Sequence, residues 1–368
     1  MPSLRACLSL LGLLGLSLPS AIAQEWTRFR GPNGAGVSNA TTIPTSWTEK
    51  DFAWKVSLPG KGHSSPVLWG DRLFVTAGDR KSGKRIVLCL DADTGRTLWT
   101  KEFDAKSYSM HQRNSVATAT PTVDGQRVYL TWATPDRVTA MALDHDGKLV
   151  WDVDLGPFKS QHGFGVSPIL FDGLLILAND QDNGGSLIAL DAATGKQQWK
   201  VPRKSKNATY ATPCVYQSGT RPAELILTNW QLGVSAVNPK NGEINWEISV
   251  FDRDRNERSI ASPVIAGDLI LGSCGFTTAQ KHLVAVRPDA DGKPKEVWRL
   301  ERGVPHIPTP LVKDGMIFLC GDQGSSPAWR RRPASSSGRN ASTVTSPPRR
   351  SAPAIGCSSS PMTAPFTC

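Results

Sequence analysis

The feature that most constrains this 368-residue chain is a repeat. Ser65-Pro66, Thr120-Pro121, Ser167-Pro168, Thr212-Pro213, Ser262-Pro263 and Thr309-Pro310 each open an apolar run, and the prolines stand 55, 47, 45, 50 and 47 residues apart. Periods of this length mark solenoids, propellers or arrays, because one unit cannot bury its own apolar face. Within a unit a short turn leads into an alternating strand, such as Asp71-Arg72-Leu73-Phe74-Val75 or Asp268-Leu269-Ile270-Leu271. A third strand then runs into a second turn. At 89–99 and 189–199 that passage reads C-L-D-A-D-T-G-R-T-L-W and A-L-D-A-A-T-G-K-Q-Q-W, with looser copies ending at Trp151, Trp246 and Trp298.

Four short strands per unit, rich in Val, Ile and Leu, predict an all-β fold. One four-stranded antiparallel sheet is marginal alone, and radial stacking buries its faces against neighbours, which makes a β-propeller. Gly in the second turn takes the positive-φ position, and the Trp four residues later is expected to pack between blades. Trp54, Trp99, Trp151, Trp199, Trp246 and Trp298 are therefore read as structural anchors and not as a catalytic box.

The unit A-x-D-x-x-T-G-x-x-x-W resembles the tryptophan-docking repeat of the pyrroloquinoline-quinone (PQQ) propeller superfamily. That superfamily holds quinoprotein alcohol dehydrogenases and BamB-like assembly lipoproteins of the outer membrane. The opening Trp26-Thr27-Arg28-Phe29-Arg30-Gly31-Pro32-Asn33-Gly34 also resembles the start of exported PQQ-like repeat proteins of planctomycete-type bacteria. The resemblance covers about 26–324 and implies the fold; scaffolds and enzymes share it. Catalytic members use a vicinal Cys-Cys disulfide, a calcium site with Glu and Asn ligands, and an Asp base. This chain has no Cys-Cys pair, and no matching Glu, Asn and Asp set stands out. The expectation is an exported, non-catalytic scaffold that binds an envelope protein or a small ligand and carries no cofactor. The alternative is a PQQ-dependent alcohol or polymer oxidoreductase.

Both ends depart from the repeat. Residues 1–23 read as a signal peptide: Arg5, an apolar run from Leu8 to Leu18, then Ala21-Ile22-Ala23, with cleavage after Ala23. The run is too short for a membrane span, no later segment offers one, and an extracytoplasmic, periplasmic location is expected. Residues 24–53 form a lead-in and 54–324 the propeller. After Gly324, Ser, Pro, Arg and Ala dominate, and 325–368 is expected to lack regular structure. Read one base out of register, however, Pro327 to Gly338 can encode C-V-E-A-A-T-G-E-L-V-W, another turn-and-Trp unit. The next stretch, to Ala364, can encode a further Ser-Pro strand. The recovered Trp falls 40 residues after Trp298. A frameshift is thus expected to have replaced the last blades. The intact parent would have seven blades, or eight as the second choice; this chain has five complete and a partial sixth.

The formal charge of +10 suggests nucleic acid, but its location removes that reading. Arg5 and six Arg of 325–368 have no acid beside them, which leaves 24–324 near +3. Metal sites find no support either: there is no C-x-x-C, and Asp252-Arg253-Asp254-Arg255-Asn256 lacks the Gly and Glu of a calcium loop. Asp289-Ala290-Asp291-Gly292 is a turn, and Gly184-Gly185 has no helix to make a phosphate loop. One constellation is positional. Linkers that precede each innermost strand meet at one rim of a propeller channel, and here they hold His63, His111, Arg113, His162, Tyr210, Arg258 and His306. Such a set could bind an anionic ligand or an acidic edge, or it could be a solvated polar rim.

Overall fold

The structure, a computed structural model, describes residues 25–322 except 41–43, 45, 255–256 and 277–279, together with 328–330 and 366–367. Among these residues there are five four-stranded antiparallel sheets and one three-stranded sheet, each with its strands in sequence order. Blade 1 comprises Val67–Trp69, Arg72–Gly78, Arg85–Asp91 and Thr97–Phe103. Blades 2 to 5 span 122–154, 169–202, 214–248 and 264–300. Blade 6 holds Leu311–Lys313, Met316–Leu319 and Ala328–Arg330. The only helices among the described residues are two three-residue 3₁₀ turns.

The middle strands are buried nearly end to end, as in Arg72–Gly78 and Arg85–Asp91. Alternate residues of a strand point to opposite faces, so each blade feeds two apolar layers. Phe74, Val87 and Cys89 of blade 1 pack with Val128, Leu130 and Met141 of blade 2. Leu269, Leu271 and Leu283 of blade 5 pack with Ile317 and Leu319 of blade 6.

The Ser/Thr-Pro repeat links the innermost strands. The backbone N–H of Ser65 donates to Thr120 Oγ1, and that of Thr120 to Ser167 Oγ, both at 2.9 Å. Thr212 donates to Ser262 Oγ at 2.9 Å and Ser262 to Thr309 Oγ1 at 3.1 Å. The hydroxyl thus satisfies a buried N–H of the preceding blade, while proline, with no N–H, begins the inner strand.

The Trp repeat links the outer edges. In each complete blade the pairing of the two outermost strands shifts by one residue just before the Trp. Such a bulge bends and twists the outer strand and so re-aims the Trp. Across the pair, Trp99 faces Cys89, while Trp151, Trp199, Trp246 and Trp298 face Ala142, Ala189, Ala236 and Ala285. The indole N–H then donates to the turn of the next blade: Trp99 to His145 O at 2.7 Å, Trp151 to Ala192 O at 3.0 Å, Trp199 to Pro239 O at 3.1 Å. Trp151, Trp199 and Trp246 are buried, and Trp54, Trp99 and Trp298 are half-buried. Trp54 makes the same contact onto blade 1, at 2.9 Å from Ala92 O. The strand Lys55–Val56 therefore occupies the place of an outermost strand before blade 1. At the junction of blades 4 and 5 the rule is broken. Trp246 turns to Glu224 Oε2, and Arg221 Nη1 donates to Asp289 O instead.

The lead-in crosses the centre of the ring. Trp26 forms an antiparallel bridge with Leu68 of blade 1, and Thr27 O accepts from Val123 N of blade 2. Arg28 donates to Pro213 O, and the Asn33 amide brackets Val215 of blade 4 at 2.7 and 2.8 Å. Arg30 Nη2 reaches Pro310 O of blade 6 at 2.8 Å. These contacts lie beyond the prolines along the inner strands, so they fill the mouth opposite the linkers.

The expectation that 325–368 lacks regular structure does not hold at two stretches. Ala328–Arg330 pairs with Met316–Leu319, and Phe366–Thr367 pairs with Lys55–Val56. A bare strand edge accepts any backbone that supplies N–H and C=O groups. The edge of Met316–Leu319 is covered to that extent, although Leu311 stays 37% exposed. The rest of 325–368 and the leader 1–23 lie outside the described residues.

Candidate functional site

Five of the seven rim residues belong to one cluster at the linker mouth. The His111 and His162 rings meet edge to face with centroids 5.1 Å apart. Two backbone-directed bonds hold them: His111 N–H donates to His162 O at 3.3 Å, and Asn114 Nδ2 donates to the same carbonyl at 2.7 Å. The Arg113 N–H donates to His111 Nδ1 at 3.1 Å, which leaves Nε2 as the protonated nitrogen of a neutral ring. Ser160 joins the next two members, since its Oγ lies 3.0 Å from Tyr210 Oη and accepts from His162 N at 3.2 Å. Arg258 comes from a fourth linker and is buried; it donates to Gln161 Oε1 at 3.3 Å and Ala208 O at 3.2 Å, and lies 3.5 Å from Asp182 Oδ1.

The environment shifts two of these groups. Burial lowers the His162 pKa below 6.5, and the positive Arg258 and neighbouring His111 lower it further. Burial raises the Tyr210 phenol above its usual value, against the pull of Ser160 and Arg258.

The other two rim residues stand apart. His63 is tied through its N–H to Ala117 O at 2.9 Å, and burial lowers its pKa. His306 donates its N–H to Asp322 Oδ1 at 2.8 Å, lies 6.3 Å from the Phe276 ring, and is also lowered by burial. Lys281 completes that second group at 2.9 Å from Asp322 Oδ2.

Below the mouth lies a buried polar layer that sequence reasoning missed. Arg203 Nε donates to Asp180 Oδ1 at 2.8 Å with both side chains almost fully buried. Thr209 Oγ1 and Asn229 Nδ2 donate to Asp180 Oδ2. Gln161 N and Ala208 N donate to Asp182. Glu257 accepts from the Cys274 thiol at 3.3 Å and lies 3.8 Å from His282 Nε2. Thr209 and Asn229 reach Asp180 from the next blade, contacts that only the assembled ring makes. Arg28, Arg30 and Asn33, which fill the opposite mouth, were visible only as part of an opening motif. Among the described residues no three His, Cys, Asp or Glu side chains are grouped to hold a metal ion. No helix among them is long and apolar enough to cross a membrane.

Comparison with known proteins agrees with this architecture. The chain is 29% identical over 245 residues to a polyvinylalcohol dehydrogenase of a Pseudomonas species, covering 60% of this chain and 34% of that protein. Among solved structures, the quinohemoprotein alcohol dehydrogenase of Pseudomonas putida HK5 superposes with a TM-score of 0.53 at 12% identity, over 80% of this chain and 69% of that one. At that identity the likeness shows the propeller fold alone. The outer membrane protein assembly factor BamB of Bordetella pertussis (strain Tohama I) is 23% identical over 330 residues, covering 87% of this chain and 74% of that protein. The family described as outer membrane protein assembly factor BamB matches residues 51–157 and 83–337, well over half of the sequence, and the chain belongs to that family of PQQ-like repeat proteins.

Proposed function

We propose that this chain is an exported, non-catalytic propeller that serves as a protein-binding platform in the cell envelope. The observation that carries the reading is the difference between the two mouths. One is filled by 26–36, and the other gathers His111, Arg113, His162, Tyr210 and Arg258 from four linkers. A ring of fixed blades holds such linkers in place, and loops on a rigid scaffold are where recognition residues concentrate. Membership of the BamB family supports export and an envelope partner.

The oxidoreductase reading draws support from the polyvinylalcohol dehydrogenase relative. The donor set does not fit a calcium-bound quinone. Asp180 is committed to Arg203, Asp182 lies against Arg258, and Glu257 is shared by Cys274 and His282. A divalent ion would have to displace the two arginines from Asp180 and Asp182.

Two experiments test the reading. A photo-crosslinking residue at exposed Gln112, on the linker mouth, should trap one envelope protein, and the same group at exposed Lys240, on the opposite side, should trap none. Equal labelling at both positions, or none at either, sinks the platform. Titration of the purified protein with PQQ and calcium should leave no bound quinone absorbance; stoichiometric binding would favour the oxidoreductase.

A further inference from the structure

We propose that the mouth formed by residues 108–115, 156–166 and 203–211 docks a run of acidic side chains on a protein partner, whose carboxylates are taken by His111, Arg113 and His162. The proposal rests on reading the chain as a protein-binding platform and states what such a partner must present.

Charge at this mouth is sorted by depth. Of the carboxylates that lie below it, Asp180 and Asp182 lie against Arg203 and Arg258, and Glu257 is almost wholly buried and accepts from the Cys274 thiol. The exposed layer holds Arg113, Lys159 and Lys204, with no ion pair among the described residues. Lys206 is exposed too and lies over the Trp230 ring at 5.8 Å. A partner therefore meets cations first, with Asp180 and Asp182 already paired beneath them.

The geometry at the centre suits carboxylates. His111 accepts from the Arg113 N–H at Nδ1, so its Nε2–H is the donor left for a ligand. His162 stands edge to face against it from the next linker. Two imidazole donors from different blades, with the Arg113 guanidinium two residues away in sequence, can share the oxygens of one or two carboxylates. The opposite mouth cannot offer this, since its centre is filled by the lead-in.

A dependence on pH follows from what surrounds His162. The groups that face it are His111 and Arg258, which oppose its protonation, Asp182, which favours it, and neutral Ser160 and Tyr210. A docked carboxylate offsets the positive field of Arg258, so His162 takes up a proton on binding. Affinity should therefore rise on going from pH 7.5 to 5.5, above the range where Asp and Glu themselves protonate.

The test is fluorescence anisotropy on the full chain with a labelled Glu/Asp-rich dodecapeptide and its Gln/Asn counterpart. Inorganic phosphate and phosphatidylglycerol vesicles are run alongside. The acidic peptide should bind at least ~10-fold more tightly than the amide peptide, and Arg113→Glu should remove ~10-fold of that affinity. His162→Gln should abolish the gain at pH 5.5, and both variants should melt with the parent at pH 7.5. Equal binding of the two peptides, or indifference to Arg113→Glu, overturns the proposal. Binding to vesicles or phosphate but not to peptide overturns it as well and assigns the patch to a lipid surface or a free anion. The platform reading fails separately: peptide binding without a Gln112 adduct condemns the platform and spares the acidic specificity, and the converse result does the reverse.

Discussion

Trp151 and Gly195 show how few residues set a blade junction. Gly195 sits at φ 73°, and a Cβ there would lie 2.8 Å from the Trp151 ring. The glycine is thus required twice, by its own backbone and by the indole that lands on it. Gly195→Ala should cost about 2 kcal/mol or more in urea unfolding, from backbone strain alone. Trp151→Phe keeps the ring but loses the N–H bond to Ala192 O, and should cost about 1 kcal/mol beyond the lost area. Titration gives a second prediction. His63, His162 and His306 all have folded pKa values lowered by burial from 6.5. Their contribution to stability is present above that value and is lost as pH falls through it. Urea midpoints should drop between pH 7.5 and 5.5, and His306→Gln should shrink the drop. The Trp and Gly positions were legible in the sequence because each is tied to a turn only a few residues away. That Trp246 gives up its carbonyl to Arg221 was not legible, since Arg221 sits 68 residues before Asp289 in the chain.

At the scale of elements, the lead-in is the least local piece of the fold. Asn33 pairs with Val215 across 182 residues, and Arg30 reaches Pro310 across 280. Its opening motif could be matched by resemblance, yet nothing in its own pattern says where its donors go. The carbonyls it meets belong to inner strands, whose free edges face the channel. Asn33→Ala removes both bonds to Val215 and should cost about 1–3 kcal/mol, read as a fall in the thermal midpoint. Arg30→Gln should in addition raise amide exchange in Leu311–Lys313, while the inner strand of blade 3 stays protected. Equal exchange in both strands would mean that the lead-in does not anchor blade 6. The linkers behaved differently. Their place before each Ser/Thr-Pro strand was readable from the spacing, which gathered the rim residues into one set. Which of them meet was not, because His111 and His162 converge through ring curvature, whereas His63 and His306 are drawn to Ala117 and Asp322.

For the whole molecule the question is how the ring is finished. Among the described residues blade 6 has three strands, and Trp54 already docks on blade 1 as the anchor of a preceding blade would. Restoring the reading frame after Gly324 is proposed to supply an outer strand for blade 6 and one further blade. The restored protein should melt higher than the encoded one and elute closer to a monomer, because exposed apolar faces favour association. If it melts no higher and is no more monomeric, the truncated-propeller interpretation is wrong. The lead-in has one more consequence, in time. Arg30 precedes its acceptor Pro310 by 280 residues in the chain. Trp26 and Thr27 find Leu68 and Val123 in blades 1 and 2, but the Arg30 contact must wait for blade 6, and closing so long a loop carries an entropic delay. During that interval the turn around Arg30 lacks its far anchor and is open to proteases or chaperones, and its protection is a clock that reports when blade 6 has arrived.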